Sequence, residues 1–446
     1  MYLYIILQCC NFSNNALAQS MLDRNTVISK SIEKSYTLQN QKIEVAKDKL
    51  DKKKVFQTYL PNLSFNSTYT KLNDDIMFKI PPIDLPAIDL KIPSIQPIKL
   101  DPITMDPLVL QKKNIFKMDA TASMVLFTGF KAPYTYKAIK HKQNADEQMV
   151  NKETIDIIKE VIEYYDKMAV VDQSLKVLKE SEQRLEEETR FVLKAINVGL
   201  ATPYDRSKIE LAQQDIIAKK IELYTNRKLI ISKLNQLSGI GKFDFEMLHP
   251  TLEVWVTNAS IGTVEDRPEV KALKEAEIAL NYKKKTTMTS YVPVVYAFGK
   301  RELRENDLSV LDPKWYVGVG LKWNVFDGLQ NYRDVQKNKL EEITAHNNIE
   351  NAISLYNVGY DKVQYELELA TQLVSVAVKK KGSASKGLEI AISQYEQGLG
   401  SITERVAAET DMQMAQMDYI QAIYKQRMAT LNLLEATGKL TLENIK

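Results

Sequence analysis

An apolar repeat with an average spacing of 3.5 residues runs without a break through the stretch from Val150 to Ile196. Steps of four and three residues alternate along it and connect 14 positions, of which 11 are apolar. An isolated straight helix drifts away from such a seam, because its own period is 3.6 residues. The repeat therefore predicts long helices that supercoil on neighbouring helices.

The same register recurs 199 residues later, from Ile349 to Tyr395. Each copy is followed by a Gly-Leu pair at the same offset, first Gly199-Leu200 and then Gly398-Leu399. Landmarks that keep one offset over this distance indicate a tandem duplication. We predict a first repeat at 19–239, a linker at 240–264 and a second repeat at 265–446.

The first 18 residues have the pattern of a secretory signal peptide. A short apolar run from Tyr2 to Cys10 precedes Ala16-Leu17-Ala18, which resembles a cleavage site of small residues. The alternative is a folded N-terminal segment. No later stretch approaches the ~20 apolar residues that a membrane-spanning helix needs. If this chain crosses a membrane, we therefore expect it to do so with strands.

Charge and composition exclude several classes of protein. The formal net charge is only +3, so no basic face indicates a nucleic-acid partner. The three histidines, His141, His249 and His346, are far apart, and no metal-ligand spacing stands out. Gly318 and Gly320 lie in a strand pattern rather than in a phosphate loop. We expect neither an enzyme nor a bound cofactor.

Four segments alternate apolar and polar residues, which predicts strands. These segments are Leu63–Thr70, Met118–Phe127, Val292–Phe298 and Trp315–Val325. The apolar face of the last one carries Trp315 and Trp323, ~27 Å apart at ~3.4 Å per residue. Aromatic girdles flank an apolar band of ~25 Å in outer-membrane barrels, so both tryptophans are predicted to mark a membrane boundary. A half-buried strand of a soluble sandwich would show the same alternation.

The number of strands helps to decide between a membrane barrel and a soluble sandwich. Four strands cannot close a barrel, and open sheet edges are not tolerated in lipid, whereas twelve strands from three chains would close. The helix from Pro133 to Val198 would span ~100 Å, which is too long for a compact domain. We predict a mainly α fold with a small membrane β-barrel contribution. Its unit is a duplicated helix-strand-strand-helix-helix segment with long antiparallel coiled-coil helices, and four strands per chain complete a 12-stranded trimeric barrel.

A proline-rich stretch separates the first two strands. Half of the 14 prolines lie between Pro81 and Pro107. Proline at this density excludes a helix or a central strand, so we predict an extended, loop-like insertion at 76–110. The insertion would lie at the outer mouth of the barrel, where it would partly cover the mouth or contact a neighbouring subunit.

Four motifs and their order resemble one known family. LFTGF at 126–130 and VFDGL at 325–329 end strands, and NVGLATPYD at 197–205 and QGLGSITE at 397–404 join long helices. In this order they resemble the TolC-type outer membrane efflux proteins, also called outer membrane factors. The resemblance covers nearly the whole mature chain. Each motif alone is weak, and their order and duplication make the resemblance specific.

The resemblance implies a homotrimer in the outer membrane with a long periplasmic extension. Such a protein acts as a passive exit duct of a tripartite efflux or type I secretion system, without catalytic residues or cofactors. Its partners would be outer-membrane lipid, a periplasmic adaptor and an inner-membrane pump of the RND, ABC or MFS type. The competing interpretation is a soluble coiled-coil scaffold, which explains the heptads but not the strands or the signal-like start.

The resemblance also implies roles for residues at the two helix-hairpin tips. Residues matching the adaptor-contact tips are Gly199, Leu200, Thr202, Gly398, Leu399 and Ser401. Asp205, Glu404 and Arg405 are candidates for a periplasmic aperture. Thr202 with Asp205, and Ser401 with Glu404, also fit a capping box, so both interpretations of the acids stay open. Ala407 stands where the family can carry a further acid, which argues against a strong acidic ring.

Overall fold

A computed structural model describes residues 22–88, 91, 93, 96–256, 262–304, 309 and 312–444. The predicted signal peptide at 1–18 lies outside these residues. Helices and strands follow one another as α1 (Arg24–Lys34), α2 (Tyr36–Gln57), β1 (Asn62–Lys71), β2 (Ile76–Phe78), β3 (Leu108–Gln111), β4 (Asn114–Phe127), α3 (Lys131–Asn197), α4 (Pro203–Ser238), α5 (Lys242–Glu246), α6 (Pro268–Met288), β5 (Val294–Glu302), β6 (Trp315–Lys322), α7 (Gln330–Glu396) and α8 (Ile402–Ala436).

The duplication is visible in the backbone. Gly129 and Phe130 have φ values of 62° and 67°, and their counterparts Gly328 and Leu329 have 71° and 67°. Two successive residues in the left-handed region are uncommon, particularly when one carries a bulky side chain. Both repeats therefore turn from their second strand into their long helix in the same unusual way.

The two predicted apolar seams are confirmed. Every one of the 14 seam positions on α3 and of the 14 on α7 is buried or half-buried. On α3, the seam residues Val161, Met168 and Val192 are fully shielded from solvent. Among the described helices, none combines the length and apolar character that a membrane span requires.

The stretch from Thr26 to Tyr59 is rich in lysine, glutamate and glutamine and predicts one helix, but the structure has two helices there. Ser35 has φ −57° and ψ 118°, and it separates α1 from α2. Its hydroxyl accepts a hydrogen bond from the amide of Leu38 at 3.2 Å, as a residue at a helix start does. A single serine within a run of lysine, glutamate and glutamine does not predict this break.

The four predicted strands form one antiparallel sheet in the order β1-β4-β5-β6. The β4–β5 pairing joins the first repeat to the second, and β1 and β6 are the two edges. The last strand is shorter than predicted, because β6 ends at Lys322 and Trp323 lies beyond it. The Trp323 indole instead donates a hydrogen bond to the carbonyl of Tyr291 at 3.1 Å.

The chain divides into two compact units, and each takes segments from both repeats. Among the described residues, one contains 22–47, 141–277 and 343–444, and the other contains Asp48–Lys140 and Ile278–Glu342. The first is entirely helical apart from its connections, and the second contains the sheet. The core of the helical unit buries Ile162 and Met168 of α3 with Leu234, Phe245 and Leu431.

The connection between the repeats docks on the core of the helical unit. Gln426 of α8 donates to the carbonyl of Trp255 at 2.8 Å and accepts from its amide at 2.9 Å. Arg24 and Arg427 lie 5.5 and 5.4 Å from the centroid of the Trp255 ring. Arg427 also forms a bidentate pair with buried Asp166 at 2.7 and 2.9 Å. Burial raises the pKa of Asp166, although both arginines act against this.

We predict that Asp166→Asn lowers the free energy of unfolding by ~3–5 kcal/mol, because it leaves the buried Arg427 guanidinium without its charge partner. Urea unfolding followed by circular dichroism measures this change. The control is Asp166→Leu combined with Arg427→Met, which removes both charges and is expected to cost less than Asp166→Asn alone. A double variant less stable than Asp166→Asn would contradict this explanation.

Candidate functional site

One face of the sheet is apolar and open. On β6 this face presents Trp315, Val317, Val319 and Leu321, which are 63 to 75% exposed. The register aligns Val317 with Gly299 and Val319 with Ala297 of β5, so the apolar residues of adjacent strands share this face. Leu63 and Phe65 of β1 continue it at 70 and 75% exposure. A sheet face of this kind needs an apolar environment.

The opposite face is mostly polar. Lys300 of β5 pairs with Asp119 of β4 at 3.3 Å and with Glu302 at 2.9 Å. Serine, threonine and asparagine occupy the same face on β1, because it alternates with the apolar positions along each strand. The face therefore suits contact with water.

Two glycines of β6 lie on this polar face beneath aromatic rings. The register pairs Gly318 with Phe298 and Gly320 with Tyr296. A Cβ atom at Gly318 would lie 2.8 Å from Cζ of Phe298, and one at Gly320 would overlap the Tyr296 ring. The Gly318-x-Gly320 spacing thus makes room for two cross-strand rings, which cover the glycines as aromatic partners do.

We predict that Gly320→Val destabilises the sheet by ~1–3 kcal/mol, because the added side chain pushes Tyr296 out of its position. Heat unfolding in detergent, followed by circular dichroism in the strand region, measures the loss. Tyr296→Ala in the same chain should restore part of it by removing the obstructing ring. A Gly320→Val chain as stable as the original would contradict the prediction.

The two predicted tryptophans both lie at the surface of the chain. Trp315 begins β6 and is 65% exposed, and Trp323 follows the strand and is 54% exposed. Their role as a membrane girdle remains a prediction.

The two helix hairpins end in the same tip structure. Gly199 and Gly398 have φ values of 77° and 73°, and no atom lies within 4 Å of a Cβ built on either one. The amide of Leu200 donates to the carbonyl of Ala195 at 2.8 Å, and that of Leu399 to the carbonyl of Gln394 at 2.9 Å. This geometry ends a helix at a left-handed glycine. It leaves the leucine side chains 84 and 77% exposed.

A complete capping box starts the return helix at each tip. The Thr202 amide donates to the Asp205 carboxylate at 2.7 Å, and the Asp205 amide donates to the Thr202 hydroxyl at 3.3 Å. Ser401 and Glu404 make the same two bonds at 2.8 and 3.3 Å. Hydrogen bonds from Ser401 hold the pKa of Glu404 below its usual range. The capping interpretation is therefore correct for both acids, and an additional aperture role stays a prediction.

Arg405, the third aperture candidate, has a partner within the chain. Its guanidinium forms an ion pair with Glu188 of α3, whose side chain is 3% exposed. The same guanidinium lies 5.4 Å from the ring centroid of Tyr395. Burial raises the pKa of Glu188, against the opposing effect of Arg405. Acidification is thus expected to neutralise Glu188 before it neutralises an exposed glutamate.

A second ion pair joins the same two helices with its charges reversed. Arg184 of α3 donates two hydrogen bonds of 2.8 Å to the carboxylate of Glu409 on α8, which is buried. Together Arg184, Glu188, Arg405 and Glu409 form a crosswise arrangement that we call the tip clamp. Sequence reasoning missed three of its members, although both helices carry Arg-x-x-x-Glu, a spacing that puts the two charges on one helix face.

The three histidines do not form one site, because each contacts a different acidic residue. His141 contacts Glu275 at 2.7 Å, His249 contacts Asp172 at 3.0 Å and His346 contacts Glu277 at 3.1 Å. Among the residues that the structure describes, no group of three or more histidine, cysteine or acidic residues could hold a metal ion.

No protein-family model matches the chain, and no curated protein matches it by sequence. Its fold does match solved structures. CmeC, an outer membrane channel of Campylobacter jejuni, has a TM-score of 0.71 at 17% identity over 93% of this chain and 85% of that one. The outer membrane protein VceC of Vibrio cholerae has 0.73 at 13% identity over 93% and 96%. The MtrE outer membrane channel of Neisseria gonorrhoeae, in its open state, has 0.72 at 14% identity over 94% and 89%.

These similarities establish the fold. The chain has the architecture of the TolC-type outer membrane channels, with long helix hairpins and a small antiparallel sheet. The predicted mainly α fold, with long helices and a small antiparallel sheet, is thereby confirmed, and the trimeric barrel remains a prediction.

Proposed function

We propose that the chain is one subunit of an outer-membrane exit duct that conducts its cargo passively and is not an enzyme. The observation that carries this proposal is the four-stranded sheet, which exposes one apolar face along its strands and a polar face on the other side. A lipid-facing and a water-facing side are what a wall of a membrane pore requires. The competing interpretation, a soluble coiled-coil scaffold, does not explain such a sheet.

We propose further that three copies assemble. In the part of the chain that the structure describes, no strand pairs with the outer side of β1 or β6, and lipid does not tolerate open edges. A second apolar stripe on α7, separate from its seam, contains Leu355, Val358, Tyr365, Leu369 and Val376 at 56 to 68% exposure. Residues at this spacing form a coiled-coil face. A homotrimer with 12 strands would use both the open edges and this stripe.

We propose that the hairpin tips bind a periplasmic adaptor, which connects the duct to an inner-membrane pump of a tripartite efflux or type I secretion system. The exposed Leu200 and Leu399 support this assignment, because two large apolar side chains at a tip favour a protein partner. The rigid turns at Gly199 and Gly398 would present both leucines in the same way.

The tip clamp is proposed to set the width of the periplasmic aperture. It joins α3 of the first hairpin to α8 of the second close to both tips. As long as its two ion pairs hold, the hairpins of one subunit cannot separate at this level. Opening would require both pairs to exchange their partners or to become solvated.

Membrane fractionation tests the proposed function. The full-length protein should be recovered in the outer-membrane fraction, and after detergent extraction it should migrate as a trimer that resists mild heating. In planar bilayers it should form water-filled channels without any added energy source. Recovery as a soluble monomer or dimer would instead favour the coiled-coil scaffold.

A further inference from the structure

The proline-rich insertion is a paired ribbon rather than an irregular loop. β2 and β3 pair antiparallel at its base, and two isolated bridges continue the pairing outward. Ile83 and Ile103 exchange two hydrogen bonds of 3.1 Å, and Ile88 and Ile98 exchange two of 3.0 Å. From the Met77 pair to the Ile88 pair the register does not change, so the arms follow each other over this length. We call residues 76–88 and 98–111 the ribbon.

Prolines make the edges of the ribbon unsuitable for further strands. The constant register puts Pro86 opposite Leu100 and Pro102 opposite Asp84, so the prolines alternate between the two arms. Proline lacks the amide hydrogen that a pairing strand needs, and it is a common device against strand addition at sheet edges. A partner of the ribbon must therefore bind its side chains.

The ribbon exposes a large apolar surface. Eleven large apolar side chains are 40 to 55% exposed: Ile76, Met77, Phe78, Ile83, Ile88, Ile98, Leu100, Ile103, Met105, Leu108 and Val109. At roughly 150 Å² for a large side chain, the sum over both faces of the ribbon is about 800 Å². Side chains of a strand point to both faces, so one face offers only part of this area. Exposed apolar patches of about 300–600 Å² often mark an interaction site, and the ribbon has enough apolar surface for one.

The chemistry of the ribbon limits what covers this surface. Asp84, Asp101 and Asp106 lie among the apolar residues, and carboxylates are costly inside a bilayer, so lipid is a poor cover. Water is also a poor environment, because an isolated two-stranded ribbon is only marginally stable there. Within the described ranges of the chain, β2 and β3 form a sheet of two strands. Lys79 and Lys99 lie on the same ribbon as these aspartates, so its surface carries charges of both signs.

We propose that the ribbons of neighbouring copies of this chain pack on one another through their isoleucine side chains and hold the assembly together. This inference depends on the proposed trimer. β1 and β4 lead directly into the ribbon, and β1 is the edge strand at which the next copy would join. Each ribbon therefore starts beside the junction that it would reinforce.

Crosslinking of the full-length trimer tests the proposal. Ala87→Cys, near the outer end of the ribbon, should give crosslinked dimers with a short bismaleimide reagent, because one cysteine per chain can be joined to only one other. Asn73→Cys, at the base of the ribbon, is the matched control and should remain monomeric after denaturation. Crosslinks at neither position, in a chain whose trimer is intact, would overturn the packing of the ribbons and leave the proposed duct unaffected.

A second variant separates packing from folding. Ile88→Thr combined with Ile98→Thr keeps the branched side chains that suit strands but adds polar groups, and it should lower the temperature at which the trimer dissociates and abolish the Ala87→Cys crosslink. Ile88→Val with Ile98→Val should change neither. If replacing 76–110 by a short turn raises conductance while the dissociation temperature stays unchanged, the ribbon is a lid and the proposal is wrong. A wild-type chain that forms no trimer would refute the proposed function itself.

Discussion

Replacing both tip leucines with aspartate, Leu200→Asp and Leu399→Asp, is expected to reduce pump-dependent export to the level of a strain without this protein. Each leucine is at least 77% exposed in the single chain, so the change costs the fold little. In the proposed adaptor contact, however, each aspartate would bring an unpaired charge into an interface. Desolvating such a group costs several kcal/mol, and every 1.4 kcal/mol lowers affinity tenfold.

Export is measured as resistance of cells to a toxic pump substrate, and adaptor binding is measured by crosslinking in cells. Leu200→Met with Leu399→Met is the matched control, because it keeps side-chain volume and apolar character. The aspartate variant must still form trimers with unchanged conductance in bilayers. Full resistance with both aspartates present would show that the leucines do not contact the adaptor.

Reversing one charge of the tip clamp, Glu188→Arg, is expected to raise single-channel conductance several-fold. The change puts two guanidinium groups together at a site where Glu188 is 3% exposed. Like charges at such a site repel strongly because little water screens them. The first and second hairpins should then separate near their tips, and a proposed aperture at this level would widen.

The charge-swapped chain, Glu188→Arg with Arg405→Glu, is the control for this experiment. It restores one cation and one anion on the two helices and should return conductance to nearly the original value. Glu188→Gln, which removes the charge without reversing it, should give an intermediate conductance. A swapped chain that stays as conductive as Glu188→Arg would show that these residues affect the pore by some route other than their pairing.

The helices were predictable because the sequence patterns that determine them are local. The seams repeat every 3.5 residues, so Val161 or Leu388 can be placed on a buried face from its neighbours alone. The caps were predictable for the same reason, since Thr202 and Asp205 are three residues apart and the motif that joins them is short. The break at Ser35 was missed because one serine within a helix-forming run carries no comparable signal.

Contacts between distant segments were not predictable in this way. The partner of Arg405 lies on α3, more than 200 residues away in the sequence, and the Arg-x-x-x-Glu spacing on each helix does not say which groups pair. The sequence therefore predicted Arg405 as an aperture residue without indicating its ion pair with Glu188. Similarly, the spacing of Gly318 and Gly320 showed that their strand face is small, but the rings of Phe298 and Tyr296 became visible only when β5 was aligned with β6.

The strand order has a consequence for the symmetry of the assembly. β1 and β4 come from the first repeat and β5 and β6 from the second, so each repeat supplies one equivalent pair of adjacent strands. In the proposed trimer, three duplicated chains would surround one opening, and a chain with a single repeat would need six identical copies to do the same. The ribbon belongs to only one of the two repeats. It would therefore give three-fold symmetry to a ring whose strand pairs repeat six times.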